Sequence, residues 1–258
     1  MINSLLNDRQ RQILNIIENK GEVQLQELKE VFPDVSAMTL RRDLINLENE
    51  GHLIRTYGGA VSVKRTGAFQ KEEDDYSIRA LENVEAKTII AQKAVLMLET
   101  GRSIYFDAGS TLMCLARIIP DESFSILTSS INIALELVKK MRPSVFTLGG
   151  QVSRNTLSTS GPYANYILDM VNIDLAFMSA SGFSVENGFT VGNIYECELK
   201  RKVVEKAKKA IMLMDSSKIN KNLPFTYSTL KDIDIWVCEK ALPEELMDEA
   251  KKNGVVII

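Results

Sequence analysis

Apolar residues recur every three to four positions in three short segments near the start of the chain, which is the spacing of an amphipathic helix. The three predicted helices span residues 9–19, 24–31 and 35–51. In the third, Leu40, Leu44 and Leu47 share one face, and Ser36 stands where a helix N-cap is expected. Pro33 breaks the chain shortly before this helix, so the pattern predicts a helix-turn-helix.

The pattern changes from helical spacing to alternation after the third helix. Residues 52–57 (HLIRTY) alternate at period two and run into Gly58-Gly59. We therefore predict a β-hairpin wing with a glycine turn. Arg55 and Tyr57 of this wing are suited to touch a sugar-phosphate backbone.

The polar face of the third helix has the side chains that DNA recognition requires. Its N-terminus attracts a phosphate, and an arginine there can form two hydrogen bonds with O6 and N7 of guanine. We expect DNA to be contacted by Ser36, Thr39, Arg41, Arg42, Arg55 and Tyr57. An ordinary amphipathic helix with solvated arginines is the alternative, because such helices are common.

Short apolar strands alternate with helical segments in the second half of the chain. The predicted strands are 103–107, 125–128, 144–148, 175–179, 210–214, 233–237 and 255–258. The predicted helices are 85–98, a segment ending at 118, 132–141, 163–170, 196–206 and 243–252. This order predicts an α/β fold with a mainly parallel sheet covered on both faces. In such sheets, ligands bind at the carboxyl ends of the strands.

Glycines and hydroxyl side chains follow three successive strands of this predicted sheet. They occupy residues 107–111 (DAGST), 128–132 (TSSIN) and 149–150 (GG). Glycine lets the backbone approach a ligand, hydroxyls donate hydrogen bonds, and the following helix N-termini offer N–H groups, so the three loops together can hold a phosphate. Each loop alone could instead be an ordinary turn or helix cap. The chain has neither GxxxxGK[ST] nor GxGxxG, which argues against ATP and dinucleotide cofactors.

Length and composition narrow the class of protein. The chain has 258 residues, enough for two domains, and is 45% hydrophobic and 25% charged, as ordinary globular proteins are. No apolar run reaches the roughly 18 residues of a membrane span, and the N-terminus lacks a signal-peptide layout. We therefore expect a cytoplasmic protein whose three cysteines are free thiols. His52, the one histidine, has no partner at metal-ligand spacing, so we expect no metal site.

The charge of the N-terminal segment has a consequence for assembly. Residues 1–64 contain eight Lys and Arg against nine Asp and Glu, whereas DNA-binding domains usually have a basic excess. The positive charge must therefore be clustered on one face by Arg41, Arg42, Arg55, Lys64 and Arg65. Few phosphate contacts imply weak, salt-sensitive binding by a single domain. We expect a homo-oligomer, either a dimer or a tetramer, that presents at least two domains to repeated half-sites.

Residues 8–61 resemble the N-terminal domain of the DeoR family of bacterial transcription regulators. The resemblance rests on the order and spacing of Ser36, Thr39, Arg41-Arg42-Asp43-Leu44, Leu47, Gly51 and Arg55-Thr56-Tyr57-Gly58-Gly59-Ala60. It implies a winged helix-turn-helix that binds double-stranded operator DNA. The sequence departs from the family pattern at Pro33-Asp34, where a shorter or unbroken link is expected.

Residues 87–234 resemble the C-terminal sensor domain of the same family, which is similar in fold to ribose-5-phosphate isomerase. The matching residues include Asp107, Gly109-Ser110-Thr111, Thr128, Ser130-Ile131-Asn132, Leu148-Gly149-Gly150, Gly161-Pro162, Asp174-Leu175-Ala176-Phe177, Gly182, Gly188, Thr190, Glu196, Lys200 and Asp215-Ser216-Ser217-Lys218. Ser129 departs from the pattern, because an asparagine is common there.

The second resemblance implies a site for a phosphorylated sugar effector. With the strand-end loops, it assigns this site to Asp107, Gly109, Ser110, Thr111, Thr128, Ser129, Ser130, Asn132, Gly149, Gly150, Glu196, Lys200 and Lys218. An exposed pair with Glu196, one helical turn away, is the alternative for Lys200.

Together these patterns predict a DNA-binding domain at residues 1–61, a linker at 62–85 and an effector-binding domain at 86–258. The leading hypothesis is a repressor of a sugar-utilisation operon that a phosphorylated sugar releases from its operator. A sugar-phosphate isomerase with a DNA-binding head is one alternative. It would need carboxylates after the strand at 175–179, where the sequence has Ser179-Ala180-Ser181 instead. The other alternative is a constitutive DNA-binding module whose second domain only oligomerises.

Overall fold

Three helices and a small antiparallel sheet form the first part of the chain. The computed structural model describes residues 6–20, 22–49, 52–55, 58–62 and 76–258, and the chain divides into two compact units, residues 1–71 and 72–258. The elements of the first unit are α1 Asp8–Lys20, β1 Glu22–Gln24, α2 Leu25–Val31, α3 Ala37–Asn49, β2 Leu53–Arg55 and β3 Gly59–Ser62. The strands pair antiparallel in the order β1-β3-β2, so the predicted winged helix-turn-helix is confirmed.

The core of the first unit is built from the apolar faces that the periodicity predicts. Ile13 and Ile17 of α1, Leu28 of α2, and Leu40 and Leu47 of α3 are almost completely buried and belong to one cluster. The short strand β1 corrects one expectation, because Gln24 belongs to this strand and helix α2 begins one residue later. A strand of three residues has too few positions to show alternation, so the sequence pattern did not reveal it.

Helices and strands alternate through the second unit. The helices are α4 Tyr76–Leu81, α5 Val84–Ala94, α6 Ser110–Ile118, α7 Ile131–Leu137, α8 Pro162–Asp169, α9 Ile194–Lys206 and α10 Glu244–Lys252. The strands are β4 Ser103–Phe106, β5 Ser125–Thr128, β6 Ser144–Thr147, β7 Gln151–Val152, β8 Thr159–Ser160, β9 Ile173–Met178, β10 Gly182–Ser184, β11 Gly188–Val191, β12 Ala207–Leu213, β13 Phe225–Ser228, β14 Ile235–Val237 and β15 Val256–Ile257. Short 3-10 helices span Val95–Met97, Ser216–Lys218 and Leu230–Asp232.

A seven-stranded sheet organises the second unit, with strands in the order β15-β14-β12-β9-β4-β5-β6. Every adjacent pair in this sheet is parallel, so the predicted α/β fold is confirmed. From β4 the chain proceeds to β5 and β6 on one side, whereas the later strands β9, β12, β14 and β15 lie on the other. The order therefore reverses between β4 and β9, which is the place where open parallel sheets bind ligands.

Both faces of the sheet are buried along its central strands. Along β4, Ile104 and Phe106 belong to one apolar cluster and Tyr105 to the other, as expected when successive side chains point to opposite faces. One cluster contains residues of α5, α6 and α7, and the other contains residues of α8, α9 and α10. This burial explains why the strands read as continuous apolar runs. No helix among the described residues is long and apolar enough to cross a membrane.

Two small antiparallel sheets, separate from the large one, were not predicted. Strand β7 pairs with β8, and β11 pairs with both β10 and β13. Helix α7 is also shorter than predicted, since it ends at Leu137 rather than at Met141. The exposed side chain of Met141 and its backbone N–H bond to Asp121 Oδ1 at 3.0 Å show that residue 141 belongs to a turn.

Candidate DNA-binding helix and candidate effector site

Helix α3 begins with a capping interaction that uses two of the predicted residues. Ser36 Oγ accepts the backbone N–H of Thr39 at 3.1 Å and lies 2.9 Å from Thr39 Oγ1. The cap satisfies one of the N–H groups that a helix leaves unpaired at its start. Arg41 and Arg42 are both exposed in the next turn. Ser36 and Thr39 therefore fix the start of the helix, and the two arginines face solvent.

Asp43 has the opposite orientation and anchors α3 to α1. Its Oδ2 accepts Arg9 Nε at 2.6 Å, and its Oδ1 accepts Gln10 Nε2 at 3.4 Å. The Asp43 side chain is only 6% exposed, and its hydrogen bond raises the pKa of Arg9. Because Asp43 is held inward, the Arg41-Arg42 pair cannot rotate towards the core without breaking this contact.

The turn between α2 and α3 contains the Pro33-Asp34 departure and is held by Lys29. The Lys29 ammonium donates to Pro33 O at 3.1 Å and to Val35 O at 2.6 Å. Val35 N–H also donates to Phe32 O at 3.1 Å. Lys29 thus adds two side-chain hydrogen bonds to a turn that one backbone hydrogen bond closes.

Three basic residues line one groove of about 550 Å³ on the first unit, namely Lys29, Arg41 and Arg55. Of the five basic residues predicted to cluster, Arg41 and Arg55 line this groove and Arg42 does not, while Lys64 and Arg65 lie outside the described residues. Arg55 is already paired, however, because its Nε lies 2.6 Å from Glu48 Oε2 and its backbone N–H donates to Glu48 Oε1 at 3.0 Å. Those hydrogen bonds lower the pKa of Glu48. Tyr57, the remaining predicted DNA contact, lies outside the described residues.

The candidate effector site is centred on the ends of β4 and β9. Asp107 directly follows β4, and its Oδ2 accepts the backbone N–H of Ser179, which follows β9, at 2.9 Å. Ser179 Oγ lies 3.2 Å from the same carboxylate oxygen and 3.0 Å from Ala108 O. These contacts join the two strand ends at the reversal of strand order.

Lys200 of helix α9 reaches this junction from the adjacent layer. Its ammonium forms an ion pair with Asp107, lies 3.3 Å from Glu196 Oε1 and donates to Ser179 O at 2.9 Å. Only 1% of Lys200 is exposed, so the alternative of an exposed pair with Glu196 is wrong. Burial opposes the charge, but the carboxylates of Asp107 and Glu196 outweigh it and raise the pKa of Lys200. Lys200 is a fixed cation beneath the site.

Helix α6 directs its N-terminus towards the same edge of the sheet. Gly109, the residue before Ser110, has φ 140°, and a Cβ there would lie 3.1 Å from Ser179 Oγ. A glycine is therefore required at this position. Gly109 is the N-cap residue of α6 but has no side chain, so it offers no side-chain hydrogen bond to the first N–H groups of the helix. Ser110 and Thr111 stand in this first turn, where backbone N–H groups favour an anion.

The loop after β5 is enclosed more deeply than expected. Thr128, Ser129 and Ser130 are 2% exposed or less. Thr128 Oγ1 accepts Ser130 N–H at 3.0 Å, and Ser129 Oγ accepts the hydroxyl of Tyr105 at 3.0 Å. Asn132 follows at the start of α7, where its Oδ1 accepts the hydroxyl of Ser130. Within this loop, the side chains bond to one another and to the core.

The hairpin β7–β8 closes over that loop. Thr159 of β8 donates from its hydroxyl to Leu148 O at 2.8 Å and from its backbone N–H to Ser129 O at 2.7 Å. Gly149 and Gly150 are exposed beside it. Gly150 has φ 127°, and a Cβ there would meet Ser160 O at 2.3 Å. The second glycine is thus explained by the close approach of β8.

Strand β12 supplies a fourth loop to this edge. Asp215 is 1% exposed, and its Oδ1 accepts Ser217 N–H at 3.2 Å. Lys218 follows, and its ammonium donates to Ala180 O at 2.8 Å. The predicted residue Lys218 is therefore brought beside the end of β9, and it is only half-buried.

Three residues that complete this region were not singled out from the sequence for the site. They are Ser179, Thr159 and Tyr227. The Tyr227 hydroxyl donates to Ser179 O at 2.9 Å, and its ring centroid lies 5.5 Å from Lys200 Nζ. Burial raises the pKa of Tyr227, so its hydroxyl stays protonated as a donor. No local sequence pattern signals Tyr227, because its place at the site depends on the pairing of β13 with β11. The described residues contain no group of three or more His, Cys, Asp or Glu that could hold a metal ion.

Comparison with known proteins identifies similar sequences for both units. Residues 9–66 match the family described as the DeoR-like helix-turn-helix domain, and residues 82–240 match the DeoR C terminal sensor domain. The transcriptional regulator GolR of Listeria innocua is 31% identical, with 97% of each chain covered. The L-fucose operon activator of Haemophilus influenzae is 31% identical, covering 98% of this chain and all of that one.

Two further comparisons extend this set. The putative aga operon transcriptional repressor of Escherichia coli O157:H7 is 28% identical over 97% of this chain and 93% of that one. Among solved structures, ribose 5-phosphate isomerase A of Methanocaldococcus jannaschii is similar, with a TM-score of 0.40 and 19% identity over 54% of this chain and 55% of that one.

Proposed function

Because this chain belongs to the DeoR family of DNA-binding transcriptional regulators, we propose that it represses a sugar-utilisation operon and that a phosphorylated sugar releases it from its operator. The observation that carries the effector half is the convergence of the α6 N-terminus and Lys218 on one strand edge, at the reversal of strand order. A helix N-terminus and a lysine together suit a phosphate.

We assign operator contact to the face of α3 that carries Arg41 and Arg42, with Ser36 and Thr39 at its start and Arg55 and Tyr57 on the wing. Exposure of the two arginines supports the assignment, as does the inward anchoring of Asp43 to Arg9. An arginine held on an exposed helix face can fork onto guanine in the major groove. Residues 1–61 form the DNA-binding domain in this proposal, and residues 62–85 join it to the effector-binding domain at 86–258. Helix α4, at the end of this joining segment, packs with the second unit.

Within the effector domain, the predicted residues divide into two roles. Gly149, Gly150 and Lys218 contact the effector from exposed loops or the half-buried strand edge. Ser110 and Thr111 are buried and contact it at the α6 N-terminus, Ser110 with its hydroxyl and Thr111 with its backbone N–H. The others shape and charge the site from beneath: Asp107, Gly109, Thr128, Ser129, Ser130, Asn132, Glu196 and Lys200. Lys200 neutralises Asp107, so the buried carboxylate does not repel an incoming phosphate.

We propose repression as the sign of regulation. An effector that binds only the DNA-free state lowers operator binding, which is release of a repressor. Relatives include proteins named as a repressor and as an activator, so the sign requires its own measurement. A transcription assay with the purified protein and a template that carries its operator would show whether the protein represses or activates.

We do not propose catalysis for the effector site. An isomerase needs a carboxylate that can take a proton from the sugar. Here Asp107 Oδ2 already accepts the N–H of Ser179 and the ammonium of Lys200, and the end of β9 offers Ser179, Ala180 and Ser181. Incubation with pentose and hexose phosphates tests this directly, because measurable interconversion would establish an enzyme.

We propose that the working form is a homo-oligomer. The first unit has few basic residues for phosphate contact, so one copy should bind weakly. Two or more copies on repeated half-sites would add their contacts. Equal affinity of the full chain at concentrations below and above its assembly midpoint would contradict this proposal.

The decisive experiment combines two measurements on the full chain. Thermal unfolding of the protein is first measured in the presence of glucose 6-phosphate, fructose 1-phosphate, ribose 5-phosphate or inorganic phosphate. Any sugar phosphate that stabilises the protein is then added to its complex with a DNA duplex, which is chosen beforehand by selecting for sequences that the protein binds. We expect one phosphorylated sugar to stabilise the protein and release the DNA, while the corresponding unphosphorylated sugar does neither. A panel without any stabilisation would favour the constitutive DNA-binding module instead.

A further inference from the structure

Helix α4, the first described element of the second unit, is held by the hairpin loop between β7 and β8. The backbone N–H of Tyr76 donates to Asn155 O at 2.7 Å, and Arg79 Nη2 lies 3.4 Å from the same oxygen. Asn155 stands between the paired residues Val152 and Thr159 of this hairpin. Both donors belong to α4, so its position depends on that of the hairpin loop.

The same hairpin loop bonds to one half of the candidate effector site. Leu157 O accepts the backbone N–H of Ile131 at 3.0 Å. Two residues later, Thr159 N–H donates to Ser129 O at 2.7 Å. The loop that follows β5 is therefore linked to α4 through three residues of one hairpin: Asn155, Leu157 and Thr159.

The other end of α4 is linked to the other half of the site. Asn83 stands between α4 and α5 in a left-handed backbone conformation, with φ 49°. Residues other than glycine adopt this conformation infrequently. Asn83 Nδ2 donates to Ser217 Oγ at 2.9 Å. Ser217 N–H in turn donates to Asp215 Oδ1 at 3.2 Å, and the adjacent Lys218 reaches Ala180 O at 2.8 Å.

Lys87 joins the start of α5 to the end of α4 by hydrogen bonds. It is 3% exposed, and its ammonium donates to Glu82 O at 2.6 Å and to Arg79 O. These carbonyls belong to the end of α4, where a positive charge is favourable. The last turn of α4 and the start of α5 are thus joined by a side chain as well as by the backbone.

We propose that α4, with the short connection to α5 that follows it, is the element that transmits effector binding. Helix α4 is hydrogen-bonded to the hairpin loop, and Asn83 of the connection is hydrogen-bonded to the Ser217–Lys218 loop. This inference rests on the proposed function and adds the route by which effector binding reaches the rest of the chain. An effector can shift an equilibrium only if it binds two states unequally. An effector that draws the Ser217–Lys218 loop and the hairpin together alters the Asn83 and Asn155 contacts at opposite ends of α4. In the sequence, α4 is the first described element after the boundary between the two units.

The test replaces Asn83 by glycine and Ser217 by alanine, each in the full chain. Glycine accepts the left-handed conformation without strain, so Asn83→Gly removes the side-chain contact and keeps the backbone. Asn220→Gly is the matched control, since Asn220 is a second exposed asparagine in a left-handed conformation, with φ 61°. The sugar phosphate that binds the wild type is the probe, with inorganic phosphate beside it.

In both test variants, we expect the probe to bind with nearly wild-type affinity, while the concentration that releases DNA rises on the order of tenfold, a typical coupling. Hydrogen exchange of α4 amides without any sugar should also be faster than in Asn220→Gly. Wild-type release together with wild-type exchange in both variants would overturn the role of α4 and leave the proposed function intact. If no sugar phosphate binds the wild type, the proposed function fails, and unchanged exchange at α4 would then overturn the link independently.

Discussion

The ammonium of Lys200 and the carboxylate of Asp107 form an ion pair in which each side chain is only 2% exposed. The two residues come from different layers, since Lys200 belongs to α9 and Asp107 follows β4. A charge enclosed in this way is tolerated only when a partner and hydrogen bonds compensate its loss of water. The pair therefore determines both the stability and the electrostatics of the candidate effector site.

Lys200→Met should destabilise the second unit strongly, because it leaves Asp107 buried without its cation. Removing one partner of a buried pair costs roughly 3–5 kcal/mol, which urea unfolding of the full chain would measure. Lys208→Met is the control, since Lys208 is 74% exposed and pairs with Asp174 at the surface. Equal unfolding midpoints for the two variants would show that the buried pair contributes little.

The stabilisation by Lys200 should not change with pH across the neutral range. The pKa of Lys200 is raised in the folded protein by the nearby carboxylates, against the effect of burial. Its contribution is therefore fully present below the unfolded lysine pKa of about 10.4 and is lost only as pH rises through the higher folded value. We expect a constant difference in unfolding free energy between wild type and Lys200→Met from pH 6 to 9. A difference that shrinks between pH 7 and 9 would refute this.

Arg42→Ala should weaken operator binding and leave folding unchanged. If Arg42 reads a base, its loss costs roughly 1–3 kcal/mol and relaxes specificity at one position. Its exposure explains why stability should be retained. Fluorescence anisotropy with a labelled duplex measures the effect, and Arg11→Ala on α1 is the control. Wild-type affinity of the Arg42 variant would remove this residue from the interface.

Glu48→Gln should strengthen DNA binding, because Glu48 holds Arg55 at 2.6 Å. The substitution frees the guanidinium for a phosphate and should steepen the salt dependence of binding by about one unit of slope. Glu27→Gln is the matched control, since it removes the same charge from α2 and leaves Arg55 paired. If both variants gain the same DNA affinity, the increase comes from the change in net charge, and Arg55 makes no specific contact with DNA.

Ser110→Ala should weaken effector binding by about tenfold, or about 1.4 kcal/mol, while DNA binding stays intact. Ser110 opens helix α6 at the strand edge, and its hydroxyl is expected to donate to the phosphate. Ser125→Ala is the control, because Ser125 is exposed at the opposite, amino end of β5. A wild-type response to the effector in the Ser110 variant would place the phosphate elsewhere.

The parts of the fold that follow from local periodicity could be predicted from the sequence. The buried face of α3 is one example, since Leu40 and Leu47 recur at helical spacing and both are fully buried. The parallel sheet followed from the alternation of apolar strands and helices. By contrast, the pairing of β11 with β13 joins segments separated by more than thirty residues of sequence, and no local pattern signals it.

The candidate site shows the same limit at the level of single residues. The spacing of Glu196 and Lys200 is identical in an exposed helical pair and in a buried one, so it could not show that Lys200 is enclosed. Its partner Asp107 lies 93 positions earlier in the chain. Similarly, the hydroxyls of Ser129 and Ser130 were predicted to donate hydrogen bonds to a ligand, whereas in the structure they bond within the protein. The hairpin that covers them forms only in the three-dimensional fold.

The separation of Asp107 and Lys200 along the chain bears on how a ribosome makes this regulator. The helix-turn-helix elements are complete by residue 62, whereas the cation that neutralises the site emerges with residue 200, long afterwards. A premature stop codon between these positions would yield a fragment that carries the operator-reading helix but lacks the means to respond to a metabolite.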